Sequence, residues 1–177
     1  MNFIFVRHGE STANKESVYG GHSMCELTEL WEKQAKQTAD ILKDKDITAI
    51  VSSDLTRAFA TAEIIASEIW FTEDIIKQDL FRELDAWELT WTPTQLRVSI
   101  LGKAIESKTW EKIPQIKERA VKAIEFLQSI KTDGNVLVVG HNSFTSVLFS
   151  MIDGQSDLVS YRRTWNMKNG SIKEVAL

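Results

Sequence analysis

With a single cysteine, Cys25, in 177 residues, the chain forms no internal disulfide and builds no cysteine-based zinc site. Two prolines and eight glycines are too few for a Pro/Gly-rich linker or a low-complexity stretch, and no internal repeat is present. A surplus of positive charge is missing as well: 21 Lys and Arg stand against 25 Asp and Glu, a net charge of −4. That balance argues against a general nucleic-acid binder, because affinity for the phosphate backbone needs a basic surface. No run approaches the roughly 20 apolar residues of a membrane-spanning helix. The apolar stretch within Met1–Glu10 is too short for a signal peptide and meets charge at once. The expectation is a cytoplasmic protein with no membrane partner. Its 43% hydrophobic and 26% charged residues are those of an ordinary globular chain, and its length suits one domain over 1–177.

Short apolar runs alternate with longer amphipathic ones. Phe3–Val6, Ile47–Ser52 and Val136–Val139 read as buried strands, with Ile75-Ile76 a weaker candidate. Helical spacing places Leu27, Leu30, Trp31, Ala35, Thr38, Ala39 and Leu42 on one face over Thr28–Lys43. A second stripe, over Asp54–Ile69, comprises Leu55, Ala58, Phe59, Ala62, Ile65, Ala66 and Ile69. Thr92-Pro93-Thr94-Gln95 predicts a helix start, with a Thr cap and Pro at the first helical position. Pro114 opens another helix, whose stripe is Ile116, Ala120, Ile124, Leu127 and Ile130 and which stops near Asp133-Gly134. The tight-turn pair Asn169-Gly170 precedes an edge strand in Ser171–Leu177. Strands separated by helices predict an α/β fold: a three-layer α/β/α sandwich with a mostly parallel sheet, whose ligands bind beyond the carboxyl ends of the strands.

The residues directly after each strand are therefore the place to look. Arg7-His8-Gly9-Glu10 comes after the first, Ser53-Asp54-Leu55-Thr56-Arg57 after the second, and Gly140-His141-Asn142-Ser143 after the strand at Val136–Val139. Two arginines and two histidines reach one edge of the sheet in an acidic protein. Gathering like charges has a Coulomb cost, and a dianionic phosphoryl group would offset it. Helix N-termini at the same edge favour an anion too. One histidine, if neutral, can attack phosphorus; the other can clamp the developing charge. A leaving alkoxide needs a proton, and Glu83, in the loop after the weak strand, is the best-placed acid, with Asp85 and Glu88 as alternatives. Arg7 and Arg57 would repel a cation, so no metal and no cofactor are expected.

Arg7-His8-Gly9-Glu10, Asn14, Leu27-Thr28, Ser52-Ser53-Asp54-Leu55-x-Arg57-Ala58, Thr61-Ala62-Glu63, Leu80-x-x-Glu83, Gly140-His141 and Asn169–Ile172 occur in the order and approximate spacing of the histidine phosphatase superfamily. The chain resembles that family, also called phosphoglycerate-mutase-like, from Phe3 to about Ile172. The resemblance implies a metal-independent phosphatase acting on a small phosphorylated substrate, with phosphoproteins also open. His8 would be the nucleophile that becomes phosphohistidine. Arg7, Arg57 and His141 would clamp the phosphoryl oxygens, with Asn14 a further donor and the Gly21 backbone close to substrate. Glu83 would donate the proton and later activate water.

Three departures stand out. Trp31 replaces the glycine of the family's Leu-Thr-x-x-Gly, so the helix there must sit differently; Met24 stands where many members carry Asp; and the loop after Glu83 lacks the usual glycines. Phe81, Trp87, Trp91 and Trp110 crowd a lid segment at about 81–112 and read as that lid's own core rather than as a substrate contact. His22 reads as a solvent-exposed loop histidine, and Cys25 as an ordinary buried thiol. A phosphoglycerate-type mutase and a phospho-ligand binding module are the alternatives. For the mutase, the stretch from Trp87 to Trp110 offers only Arg97, Lys103 and Lys108 to hold a substrate carboxylate. Against the binding module, a binder has no need of the nucleophile.

Overall fold

The computed structural model of the protein describes residues 2–86, 89–96, 111–154 and 166–176. Five strands form one sheet in the order β3-β2-β4-β1-β5. They are β1 (Asn2–Arg7), β2 (Ile47–Ser52), β3 (Ile76–Lys77), β4 (Asn135–Gly140) and β5 (Ile172–Ala176). The first four run parallel, and β5 lies antiparallel against β1 at the edge.

Side chains alternate across a strand, and here both faces are covered, which explains why β1 is an unbroken apolar run. Phe3 and Phe5 point with Val136 and Val138 into one core, against α4 (Ile113–Ser129) and α5 (Asn142–Ile152). Ile4 and Val6 point with Leu137 and Val139 into the other, against α2 (Glu29–Leu42) and α3 (Thr56–Glu68). The layers are those of an α/β/α sandwich. Each large side chain fully buried this way contributes on the order of 1.5–3 kcal/mol of transfer free energy. A short α1 (Thr12–Lys15) lies between β1 and α2.

Register places the functional edge. Arg7 pairs with Gly140 and Ser52 with Val139, so β1, β2 and β4 end level. Backbone bonds from His8 N to Gly140 O and from Ser53 N to Val139 O extend the ladder one residue further.

Several local expectations shift. The weak strand falls at Ile76–Lys77, one residue later than predicted, and α4 ends at Ser129 rather than near Asp133-Gly134. Leu30, assigned to the buried face of α2, is 44% exposed; the buried residues of that helix are Ala35, Thr38, Ala39 and Leu42. Thr92–Gln95 does not begin an α-helix among the described residues. Thr94–Leu96 is a 3-10 turn whose Thr94 N–H donates to Ser17 O, while Pro93 pairs with Val18 in an isolated bridge. Most of the lid segment, with Trp87, Glu88, Arg97, Lys103, Lys108 and Trp110, lies outside the described residues.

Candidate functional site

His8 leaves the end of β1 and is buried. Its Nδ1 lies 2.6 Å from Gly9 O. A carbonyl only accepts, so Nδ1 carries the proton and Nε2 keeps its lone pair. Burial pushes the imidazole well below the usual histidine value, and the charges of Arg57 and Arg7 push it further. A neutral ring with one free nitrogen results. The His141 ring, also fully buried, lies 5.0 Å away centroid to centroid. Burial, then Arg57, His8 and Arg7, hold it low as well. Without an anion at the site His141 is therefore neutral rather than a ready-charged clamp. Its Nε2 meets Ser53 Oγ at 2.9 Å.

Arg57 sits in the first turn of α3, which follows β2, two strands over from the His8 strand with β4 between them. Its Nη2 donates to Gly21 O at 2.7 Å and its Nη1 to Ser23 O at 3.0 Å. Arg7 donates from Nη1 to Met167 O at 2.6 Å. Burial lowers both guanidinium pKa values; Glu83 opposes that for Arg7, and Cys25 and Glu83 oppose it for Arg57. Among the described residues neither arginine forms a salt bridge, and Arg7 Nε and His141 Nδ1 are buried with no hydrogen-bond partner. Buried polar atoms left unmatched are costly and mark a place where a ligand would be welcome.

Glu83 reaches the same corner from the opposite side. Its carboxylate accepts from Leu84 N at 2.9 Å, Ser143 N at 3.1 Å and Phe144 N at 3.0 Å, closing the first turn of α5 directly after His141. Asn14 is tied in through Asn169, whose Nδ2 donates to both His8 O (3.0 Å) and Asn14 Oδ1 (2.9 Å). Asn14 Oδ1 also accepts from Ser11 N and Ser11 Oγ, so its amide oxygen is committed to these neighbours. Gly21 is brought in through its carbonyl on Arg57. It has φ +48°, and a Cβ there would stand 3.1 Å from Ala86 Cβ and N.

His8, Arg7, Arg57, Glu83, His141, Asn14 and Gly21 are thus gathered, directly or through one intermediary, at the edge the sequence indicated. The alternative acid Asp85 faces His22 instead, with 4.0 Å between Asp85 Oδ2 and the ring Nδ1. His22 is not the solvent-exposed histidine expected. It is partly buried, with Nε2 2.7 Å from Glu83 O, because the loop after Gly21 folds onto the Glu83 segment. Trp31 is accommodated against Gly9: a Cβ on Gly9 would stand 2.4 Å from Trp31 Cδ1. The sequence reading gave Thr61 and Asn169 only as motif or turn residues without a role at the site, and Arg119 carried no signal in it.

The comparison with known proteins fits this geometry. The sequence matches the model of the histidine phosphatase superfamily (branch 1) over residues 3–177. The chain belongs to that superfamily. A relative named "Probable phosphoglycerate mutase GpmB", from Shigella boydii serotype 18, is 31% identical over 188 residues, covering 99% of this chain and 84% of that protein. Among solved structures, Bacillus stearothermophilus YhfR shares the fold at a TM-score of 0.87 and 20% identity, covering 99% of this chain and 91% of that one. The alpha-ribazole phosphatase of Shigella flexneri gives 0.83 at 20% identity, covering 100% and 91%. Within this superfamily member, no helix among the described residues is long and apolar enough to cross a membrane.

Proposed function

We propose that the chain is a metal-independent phosphatase that hydrolyses phosphate monoesters of small molecules through a phosphohistidine on His8. The observation that carries this reading is the state of His8. A buried imidazole, with Nδ1–H held by Gly9 O, presents its Nε2 lone pair beside two arginines that form no salt bridge among the described residues.

In this reading Arg7, Arg57, His141 and the Asn14 amide hold the phosphoryl oxygens, and their charge offsets that of the substrate. Nε2 of His8 attacks phosphorus as the P–O ester bond breaks, and the departing oxygen takes a proton from Glu83. Water then attacks the phosphohistidine and gives its proton to Glu83. Inorganic phosphate leaves, and the imidazole returns to its neutral state. Approach of the dianion raises the proton affinity of His141 and lets it act as a charged clamp only when substrate is present. The likeness to an alpha-ribazole phosphatase supports the hydrolytic reading at the level of fold.

The 31% identity to a relative named for phosphoglycerate mutase supports a second reading, phosphoryl transfer between positions of a phosphoglycerate. One experiment addresses both. Phosphate release from p-nitrophenyl phosphate is measured in excess EDTA for the native protein and His8→Ala, and 3-phosphoglycerate is then followed for hydrolysis against isomerisation. EDTA-resistant turnover, reduced on the order of a thousandfold in the variant, is expected. Activity that survives His8→Ala rejects the mechanism, and isomerisation without net phosphate release selects the mutase.

A further inference from the structure

We propose that His22 and Arg119 are positioning residues that aim Glu83 from two sides by gripping its main chain. The inference rests on the reading of Glu83 as proton donor and deepens it.

Arg119 lies in the middle of α4, with its side chain 16% exposed. A guanidinium has five N–H donors in a fixed fork. Here five acceptors meet it. Nε and Nη2 donate to the Glu111 carboxylate, each at 2.7 Å. Nη1 donates to Leu80 O at 2.9 Å and Arg82 O at 2.8 Å, and Nη2 reaches Glu83 O at 3.5 Å. The guanidinium also covers the Phe144 ring at 3.8 Å, and the Phe144 N–H is one of the donors to the Glu83 carboxylate. A single side chain thereby sets the path of residues 80–83 and the α5 terminus on which Glu83 rests. Because every donor is matched, one geometry satisfies it and small displacements break several bonds together.

From the other side comes His22. Its Nε2–H donates to the same Glu83 carbonyl at 2.7 Å, while its neighbours Gly21 O and Ser23 O accept from Arg57. The loop of Gly20–Ser23 therefore fixes the distance between the phosphoryl clamp and the proton donor. Asp54 adds a third tie, through its two-point ion pair with Arg82 next in the chain. A side chain whose only task was to fill space would not need its polar atoms on the carbonyl of the residue whose carboxyl does the chemistry.

The measurement that separates aiming from general damage is leaving-group dependence. For substituted phenyl phosphates, kcat/KM reports steps up to phosphohistidine formation. p-Nitrophenolate departs with little help, whereas phenolate needs the proton. The variants are His22→Leu, His22→Gln, Glu83→Gln, and Arg119→Met combined with Glu111→Gln so that no unpaired buried charge remains. In His22→Leu and the Arg119 pair, phenyl phosphate is expected to lose about tenfold more kcat/KM than p-nitrophenyl phosphate does. His22→Gln, whose amide can reach the carbonyl, is expected to restore most of it. The amide proton resonances of Ser143 and Phe144 should shift in the same two variants. Equal losses on both substrates, with those resonances unmoved, overturn the clamp while leaving Glu83 its role, provided Glu83→Gln shows the leaving-group signature. If Glu83→Gln lacks that signature, Glu83 is not the donor and the clamp falls with it. His22 is partly exposed, so His22→Leu decides the matter even if the Arg119 pair does not fold.

Discussion

At the scale of single residues, Thr61 best shows how the nucleophile is held. Its hydroxyl donates to Arg57 O at 2.7 Å and accepts from Gly9 N at 3.1 Å and Trp31 Nε1 at 3.0 Å, so its hydrogen-bonding capacity is fully used. It ties the loop carrying His8 to α2 and α3 at once. Thr61→Val leaves the Gly9 and Trp31 donors without a partner, and a loss of about 2–4 kcal/mol is expected in urea unfolding. Turnover should drop as well, since Gly9 O no longer fixes the His8 tautomer as firmly. Gly9 and Trp31 form a matched pair. Gly9→Ala would drive a Cβ into the indole and should cost about 1–3 kcal/mol, and adding Trp31→Leu should recover part of it. No recovery in the double variant would mean that the indole is not what requires glycine there.

Among the elements, the helices divide between what the apolar pattern predicts and what packing decides. Leu127 falls where the α4 stripe places it and is fully buried, so Leu127→Ala is expected to cost about 2–5 kcal/mol. Leu30 belongs to the same kind of pattern on α2 yet stays largely exposed, and Leu30→Ala should change stability by less than about 0.5 kcal/mol. Thermal or urea midpoints of the two variants test this directly. Periodicity finds a helix face but not where the partner layer ends. The start of α2 lies against the Gly9–Glu10 segment, where Thr28 N–H donates to Glu10 O, so Trp31 covers Gly9 while Leu30 faces water. The strands were easier to read. With helices on both sides, the buried middles of β1 and β4, Phe3–Val6 and Val136–Val139, have to be apolar at every position, and the polar residues that come next mark the functional edge.

For the molecule as a whole, the two buried imidazoles link stability to pH. Both are held well below the ordinary histidine value, mainly by burial. The unfolded chain takes up these protons near pH 6.5, and the folded chain only at lower pH. Unfolding thus binds protons, so stability rises with pH and is lost as pH falls below about 6.5. The urea midpoint should be lower at pH 5 than at pH 7.5, with the difference reduced in His141→Gln; an unchanged difference would assign the loss to other groups. Asp54 works in a separate window. Its hydrogen bond with Arg82 holds the carboxyl below the usual range, so that contribution disappears only as pH falls below about 4.

The sequence by itself determined the layered α/β fold and brought out the candidate-site residues that end a strand, follow one directly or open a helix: Arg7, His8, Arg57 and His141. For these, position along the chain and position in space coincide, because parallel strands ending level put their next residues side by side. Glu83 stands in the sequence only as the best-placed acid in a loop, and it is the fold that sets its carboxylate against the first N–H groups of α5. What only the tertiary structure decided are the contacts between residues far apart in the chain: Arg119 on the carbonyls of Leu80–Glu83, His22 on Glu83, and Asn169 on His8. Such a bond has no local pattern. An arginine on a helix face or an asparagine in a turn looks the same whether it meets solvent or a distant carbonyl, and packing of the layers makes that choice.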